Sequence, residues 1–259
     1  MLLVLDIGNT NVKIGIFKGN KLISTWRVST QASHTADEYG MMVYDLLRSS
    51  GASFKDIEGS IMSSVSPALN YTIEHMCQYY TNKKPVVVSA NINTGIEIKY
   101  DHPTELGADR IVDVTAAYKL YGGPCIVVDF GSATTFNLVT KEGVFLGGAI
   151  APGVKTATDS LVNVAAKLPR VELSVPENPV GTNTISSMQS GIVYGYTGLV
   201  KYMVDMYKRL PEMKDAKVIA TGGLSELVTS VDKSIIDIID RKLALEGLKI
   251  IYDLNKKEK

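Results

Sequence analysis

Leu2-Leu-Val-Leu-Asp6-Ile-Gly8 and Cys125-Ile-Val-Val-Asp129-Phe-Gly131 are the two stretches on which the fold turns. Each is a short apolar run closed by Asp-x-Gly, the pattern of a strand buried on both faces that ends in a turn. The second lies 123 residues after the first, and the same offset carries Gly8 onto Gly131 and Lys18 onto Lys141. The segments after the two runs are also alike. Asn11 to Phe17 alternates apolar and polar, Lys18-Gly19-Asn20-Lys21 reads as a hairpin turn, and Leu22 to Val28 reads as a third strand. After Asp129, Thr134 to Val139 and Val144 to Ile150 repeat that arrangement around a turn at Lys141-Glu142-Gly143. One recurring Asp-x-Gly would mean little, but a recurring strand, loop and hairpin points to duplication. An α/β chain with two similar halves, residues 1–120 and 121–259, is expected.

The remaining segments fit that plan. Thr35 to Ser50 places Tyr39, Met42, Val43, Leu46 and Leu47 on one helical face. Ile61 to Val65 and Pro85 to Ser89 read as short strands, with Pro67 opening a helix that runs to about Tyr80. Glu105 to Tyr121 reads as a helix closed by Gly122-Gly123-Pro124. In the second half, Gly153 to Ala166 and Thr184 to Arg209 read as helices on either side of a proline-rich loop. Ala216 to Ala220 reads as a strand closed by Thr221-Gly222-Gly223, and Ser225 to Thr229 and Ala244 to Asn255 read as helices.

Composition removes several functions. The 27 basic and 27 acidic residues cancel, and without a basic block a nucleic-acid backbone is not an expected partner. The charged run Lys256-Lys257-Glu258-Lys259 reads as a solvated end. No stretch reaches membrane-spanning length and the N-terminus leads straight into a strand, so no membrane partner and a cytoplasmic location are expected. Cys77 and Cys125 are far apart, and His34, His75 and His102 have no metal-ligand spacing, although His102 stands beside Tyr100 and Pro103.

Two carboxylates at strand ends, each followed one residue later by glycine, have a chemical use. Glycine lets backbone N–H groups approach a phosphate without a Cβ in the way. Asp6 is placed to hold a hydrated Mg2+, which prefers a carboxylate, waters and phosphate oxygens to a full protein cage. Asn9, Thr10 and Lys13 add donors where a transferred phosphoryl group must be neutralised. Neither a Walker A loop nor a strand-then-helix Gly-x-Gly-x-x-Gly is present at this position, because the glycine turn leads into a hairpin.

The order of first phosphate loop, second phosphate loop and glycine pair resembles the acetate and sugar kinase, chaperone and actin superfamily. Within it, the chain resembles the type III pantothenate kinases. The resemblance rests on Asp6-x-Gly8-Asn9-Thr10 with Gly15, Tyr100-x-x-Pro103-x-x-x-Gly107-x-Asp109-Arg110, and Asp129-Phe-Gly131-x-Ala133-Thr134-Thr135. It continues through Gly147-Gly148-x-Ile150-x-Pro152-Gly153, Gly181-x-Asn183-Thr184, Ser190-Gly191 and Leu245-Glu246-Gly247-Leu248, so it spans nearly the whole chain. It implies two actin-like (ribonuclease H-like) halves with a nucleotide cleft between them. ATP is then expected along Asp6, Ile7, Gly8, Asn9, Thr10, Asn11, Val12 and Lys13, and at Ser132, where the family usually has threonine.

The resemblance also assigns roles. Asp109 matches the proton acceptor, which orients an alcohol and receives its proton late in the transfer; as a first-turn helix acid it equally suits Arg110 or the helix dipole. Helix N-terminal placement is expected to keep Asp109 ionised at neutral pH. Tyr100, Gly107, Ala108 and Arg110 match the pantothenate pocket. Thr184 matches a residue that reaches the substrate from a neighbouring subunit, implying a homodimer with sites completed across the interface, while Thr182, Asn183 and Thr184 are all good helix caps. Asp129 matches a ligand of a monovalent cation, K+ or NH4+; by symmetry with Asp6 it also suits a second magnesium-water contact. The implied reaction is ATP-dependent phosphorylation of pantothenate to 4′-phosphopantothenate, the entry step to coenzyme A. A kinase for another small hydroxylated acceptor and a non-catalytic, nucleotide-responsive regulatory protein are the alternatives.

Overall fold

In a computed structural model of the chain, residues 1–256 are described. Lys257, Glu258 and Lys259, part of the run expected to be a solvated end, lie outside the described residues. Strands β1 (Leu2–Ile7), β2 (Asn11–Lys18) and β3 (Lys21–Ser29) form an antiparallel meander. Helix α1 (Ala36–Ser49) comes next, then β4 (Gly59–Ser64), helix α2 (Pro67–Thr81) and the short β5 (Val86–Val87). β4 pairs parallel to β1 and β5 parallel to β4, so the order is β3-β2-β1-β4-β5. Every residue of β1 is buried, which is why its sequence is continuously apolar rather than alternating. Thr35 and Glu38 start α1 with a reciprocal capping box.

A two-residue strand β6 (Glu97–Ile98) and helix α3 (Ala108–Tyr121) lead to the second meander, β7 (Cys125–Phe130), β8 (Ala133–Val139) and β9 (Val144–Pro152). Helices α4 (Val154–Val164) and α5 (Thr184–Tyr207) come after it, then β10 (Lys217–Gly222), α6 (Ser225–Val231), β11 (Ile238–Ile239) and α7 (Leu243–Asn255). β10 lies parallel to β7 and β11 parallel to β10. The strands from β7 on therefore run β11-β10-β7-β8-β9, the mirror in numbering of β5-β4-β1-β2-β3. The repeat extends to a fault in the ladder. The pairing of β2 with β3 steps past Ile23, and that of β8 with β9 steps past Leu146, which is the same position at the 123-residue offset.

The chain divides into two compact units: Met1–Ala116 with the segment from Lys242 onward, and Ala117–Arg241. Each has its own core, one around Leu3, Leu5, Ile14, Tyr39, Leu47 and Leu69, the other around Val128, Phe136, Val200, Val218 and Val228. The boundary differs from the division after residue 120, because α7 belongs to the first unit. Leu245 packs at Gly15, and a Cβ on Gly247 would run into the Val112 carbonyl oxygen, so the α7 and α3 backbones approach closely there. The start of α3 also differs. Pro103–Glu105 forms a separate single turn of 3-10 helix, and α3 begins only at Ala108, since Leu106 between them is extended, with φ −71° and ψ 121°.

Candidate active site

In the first unit the loop after β1 is built from its own backbone. The Gly8 N–H donates to the Asn11 carbonyl at 3.0 Å, and a Cβ on Gly8 would sit only 3.0 Å from that oxygen. The Thr30 hydroxyl donates to the Gly8 carbonyl at 2.7 Å, and the Thr30 N–H donates to the Thr10 carbonyl at 3.0 Å. The end of β3 thus pins the loop while Asn9 and Thr10 stay exposed. Ile7 and Val12 are buried beneath it and contribute backbone and packing rather than side-chain chemistry.

Asp6 stands in register with Lys13 on β2 and with Ser63 on β4, which puts the three side chains on one face of the sheet. Asp6 is 8% exposed. The Ser63 hydroxyl donates to Asp6 Oδ1 at 2.8 Å, and Lys13 Nζ lies 3.2 Å from Oδ2. Asp109 occupies the first turn of α3 and accepts the Arg110 backbone N–H at 2.8 Å. Burial pushes the Asp109 carboxyl above the usual aspartate range; the Asp6 charge adds to this, while Arg110 and Lys13 oppose it. Helix N-terminal placement alone implies the opposite, and desolvation outweighs it. The charges of Asp6, Arg110 and Lys13 thus all act on the Asp109 carboxyl. Arg110 is 6% exposed, and its guanidinium lies 5.8 Å from the centroid of the Tyr100 ring. A Cβ on Gly107 would lie 2.5 Å from Asp109 Oδ1, so glycine there leaves the carboxylate its present position; Ala108 is buried and His102 is exposed.

The second unit holds Asp129, Ser132 and Thr184. Asp129 is in register with Thr221 on β10 and Thr135 on β8. Gly222 adopts φ 91°, and a Cβ there would meet the Phe130 carbonyl oxygen at 2.5 Å and Asp129 Oδ1 at 2.7 Å. The turn after β7 closes through the Gly131 N–H to the Ala133 carbonyl, leaving Ser132 exposed. Behind it, the Gly153 N–H and the Thr156 hydroxyl both donate to the Ser132 carbonyl, at 3.1 and 2.7 Å. Thr184 is the first residue of α5, whose cap is supplied by Asn183 with Ser186, so the Thr184 side chain is exposed and spared that duty. It borders a cavity of about 920 Å³ between α4 and α5 that is walled by Leu161, Leu168, Met188, Ile192 and Leu199.

A family model of the type III pantothenate kinases matches residues 2–206. The chain belongs to that family. A type III pantothenate kinase is a phosphotransferase that uses ATP, and the fold of the whole chain agrees. It is similar to that of a Campylobacter jejuni protein described as of the Baf family of transcriptional activators (TM-score 0.61, 20% identity, 98% of each chain covered). It is also similar to an inorganic polyphosphate/ATP-glucomannokinase from Arthrobacter sp. strain KM (TM-score 0.52, 14% identity, 98% of this chain and 99% of that one). A ROK hexokinase from Thermus thermophilus gives a TM-score of 0.50 at 12% identity over 96% and 97% of the two chains. At such identities the likeness shows the fold alone, and that fold is the two-domain, actin-like α/β architecture expected from the sequence.

Two residues that hold Asp6 and its loop are missed by sequence reasoning. Ser63 and Thr30 are ordinary strand residues until the register of β1 with β4 and the return of β3 to the loop are known. Among the described residues no group of three or more His, Cys, Asp or Glu could hold a metal ion, and no helix is long and apolar enough to cross a membrane. Cys77 and Cys125 are free and buried, with thiols pushed up to about 12 by desolvation, so neither is a nucleophile at neutral pH.

Proposed function

We propose that the chain transfers the γ-phosphoryl group of ATP to the primary hydroxyl of pantothenate, giving ADP and 4′-phosphopantothenate in the cytoplasm. The observation that carries this reading is the grouping of Asp109 and Arg110 with Asp6 and Lys13 in the first unit. Lys13 and the backbone of the Gly8–Thr10 loop neutralise phosphate oxygens. Asp109 orients the acceptor hydroxyl; as the oxygen bonds to the γ-phosphorus and ADP departs, Asp109 receives the hydroxyl proton. Arg110, buried and braced by Tyr100, takes the pantothenate carboxylate, which a guanidinium binds through two parallel hydrogen bonds.

Asp6 suits Mg2+ because a lone buried carboxylate beside a phosphate loop is the protein share that an ion held mostly by water and phosphate requires. When bound, Mg2+ supplies neutralisation of charge on the β- and γ-phosphates. Asp129 suits a monovalent cation. Thr221, 1% exposed and with its hydroxyl lacking a hydrogen-bond partner among the described residues, is in register with Asp129, and a side chain at 222 would run into the Phe130 carbonyl oxygen. That is an all-oxygen donor set of the kind K+ prefers.

We further read the protein as a homodimer in which Thr184 serves the partner's substrate. Support comes from the apolar cavity beside Thr184 and from Leu161, Val164, Val180 and Ile185, all exposed, which is the composition of a surface that meets another protein. Sedimentation equilibrium at micromolar concentration is expected to give twice the chain mass of 28.1 kDa; a single-chain mass would remove this part of the reading. The catalytic reading is tested by coupled ADP release with pantothenate, glucose and N-acetylmannosamine as acceptors, in K+ and in Na+. Turnover is expected with pantothenate alone and is expected to fall when Na+ replaces K+. Turnover with a sugar and none with pantothenate would overturn the assignment.

A further inference from the structure

We propose that Ser63 is a positioning residue that anchors one oxygen of Asp6 so that the other is presented to the metal-bearing nucleotide. The proposal rests on the kinase reading. Ser63 is completely buried in β4, between Met62, also fully buried, and Ser64. A hydroxyl at such a position costs stability unless it is hydrogen-bonded, and alanine or valine would fill a strand there at no such cost. Its bond to Asp6 Oδ1 at 2.8 Å spans 57 residues of sequence and is of the stronger, charge-assisted kind.

The two oxygens of Asp6 are held differently. Oδ1 meets a hydroxyl that has no freedom to leave, since Ser63 sits within the β1–β4 ladder, register-paired with Asp6 itself. Oδ2 meets Lys13 Nζ at 3.2 Å, and the Lys13 side chain keeps 26% of its surface in solvent. A four-carbon stem with that exposure swings toward incoming phosphates and uncovers Oδ2, whereas a buried strand serine does not move. Oδ1 is thus the anchored oxygen and Oδ2 the working one. Fixing a metal-binding carboxylate from behind by a hydrogen bond is a general device, and its loss commonly weakens metal affinity by about 10–100-fold.

Calorimetric titration of ATP into wild type and Ser63→Ala, once in Mg2+ and once in EDTA, separates this role from plain packing. Ser63→Ala is expected to bind ATP about tenfold more weakly in Mg2+ and to match wild type in EDTA. Equal weakening under both conditions, or wild-type affinity in Mg2+, overturns the proposal. Should Ser63→Ala not fold by thermal melting, Ser63→Cys, similar in size but a weak donor, is held to the same split. A wild-type protein that binds no ATP would sink the kinase reading itself, whereas a Ser63 variant without the split sinks only the anchoring role.

Discussion

Asp109→Asn is expected to lower turnover by about 10²–10⁴-fold while ATP binding stays within a factor of about two. Asparagine keeps the size of the side chain and an oxygen that still accepts the Arg110 backbone N–H, a bond of 2.8 Å in the wild type. What it loses is the capacity to take a proton from the acceptor. Single-turnover kinetics with saturating ATP and pantothenate is the measurement, and wild-type turnover in the variant would remove Asp109 from the mechanism. The wild-type pH profile carries the same information. Burial and the Asp6 charge raise the Asp109 carboxyl above the usual aspartate range, and the base must be ionised to act. The acid limb of kcat/KM is therefore expected above that range.

The raised carboxyl has a second consequence, on stability. A group that holds its proton more tightly folded than unfolded makes the native state the one that binds more protons, so stability falls as pH rises from the unfolded to the folded value. Above both values the ionised, desolvated Asp109 opposes folding in full. Asparagine carries no such charge. Asp109→Asn is thus expected to melt above wild type at neutral pH, with the gain disappearing once the pH is low enough to protonate Asp109 in the unfolded chain too.

The repeat of strand, loop and hairpin was legible because burial on both faces writes itself as an unbroken apolar run, and because each run ends in Asp-x-Gly. The same offset relates the ladder faults at Ile23 and Leu146, which only the strand pairing reveals. Asp6, Asp109 and Asp129 were singled out on motif alone. What stayed hidden depends on tertiary packing. β6 and β11, each of two residues, are too short to establish a period. The place of α7 is decided by Gly247 meeting the Val112 backbone, a surface the helix's own sequence does not describe. Ser63 is the instructive omission. Ile61 to Val65 was readable as a strand, and a parallel neighbour of β1 in the register that aligns Leu2 with Gly59 sets Ser63 level with Asp6. Register is what the sequence lacked. The rise of the Asp109 carboxyl stayed hidden for a related reason, since a helix terminus is visible in sequence and desolvation is not.

Gly153→Ala is expected to be a strongly damaging small substitution in the second unit. Gly153 has φ −67° and ψ 153°, a conformation open to any residue, so backbone strain plays no part. The obstacle is steric. An added Cβ would lie 2.5 Å from the Ser132 carbonyl oxygen and closer still to that of Gly131. Both are backbone atoms that cannot rotate away. Relief would have to come from displacing the Gly131–Ser132 turn or the start of α4, and the two are tied by the Gly153 N–H and Thr156 hydroxyl bonds to Ser132. The Tyr196 hydroxyl holds the other side through the Pro152 carbonyl at 3.1 Å. Overpacking of this kind costs about 3 kcal/mol, which lowers melting by roughly 6–12 °C in a chain of this size. Because the displaced atoms belong to the turn that carries Ser132, kcat/KM for ATP is expected to fall about a hundredfold. Gly198→Ala is the contrast: Gly198 lies within α5 with nothing within 4 Å of an added Cβ, and alanine there is expected to raise stability by about 0.5–1 kcal/mol. Differential scanning calorimetry on the pair, with ATP kinetics, decides it. If Gly153→Ala melts and turns over like wild type, the turn does not depend on the backbone approach beneath it, and the Pro152-Gly153 motif has some other reason to be there.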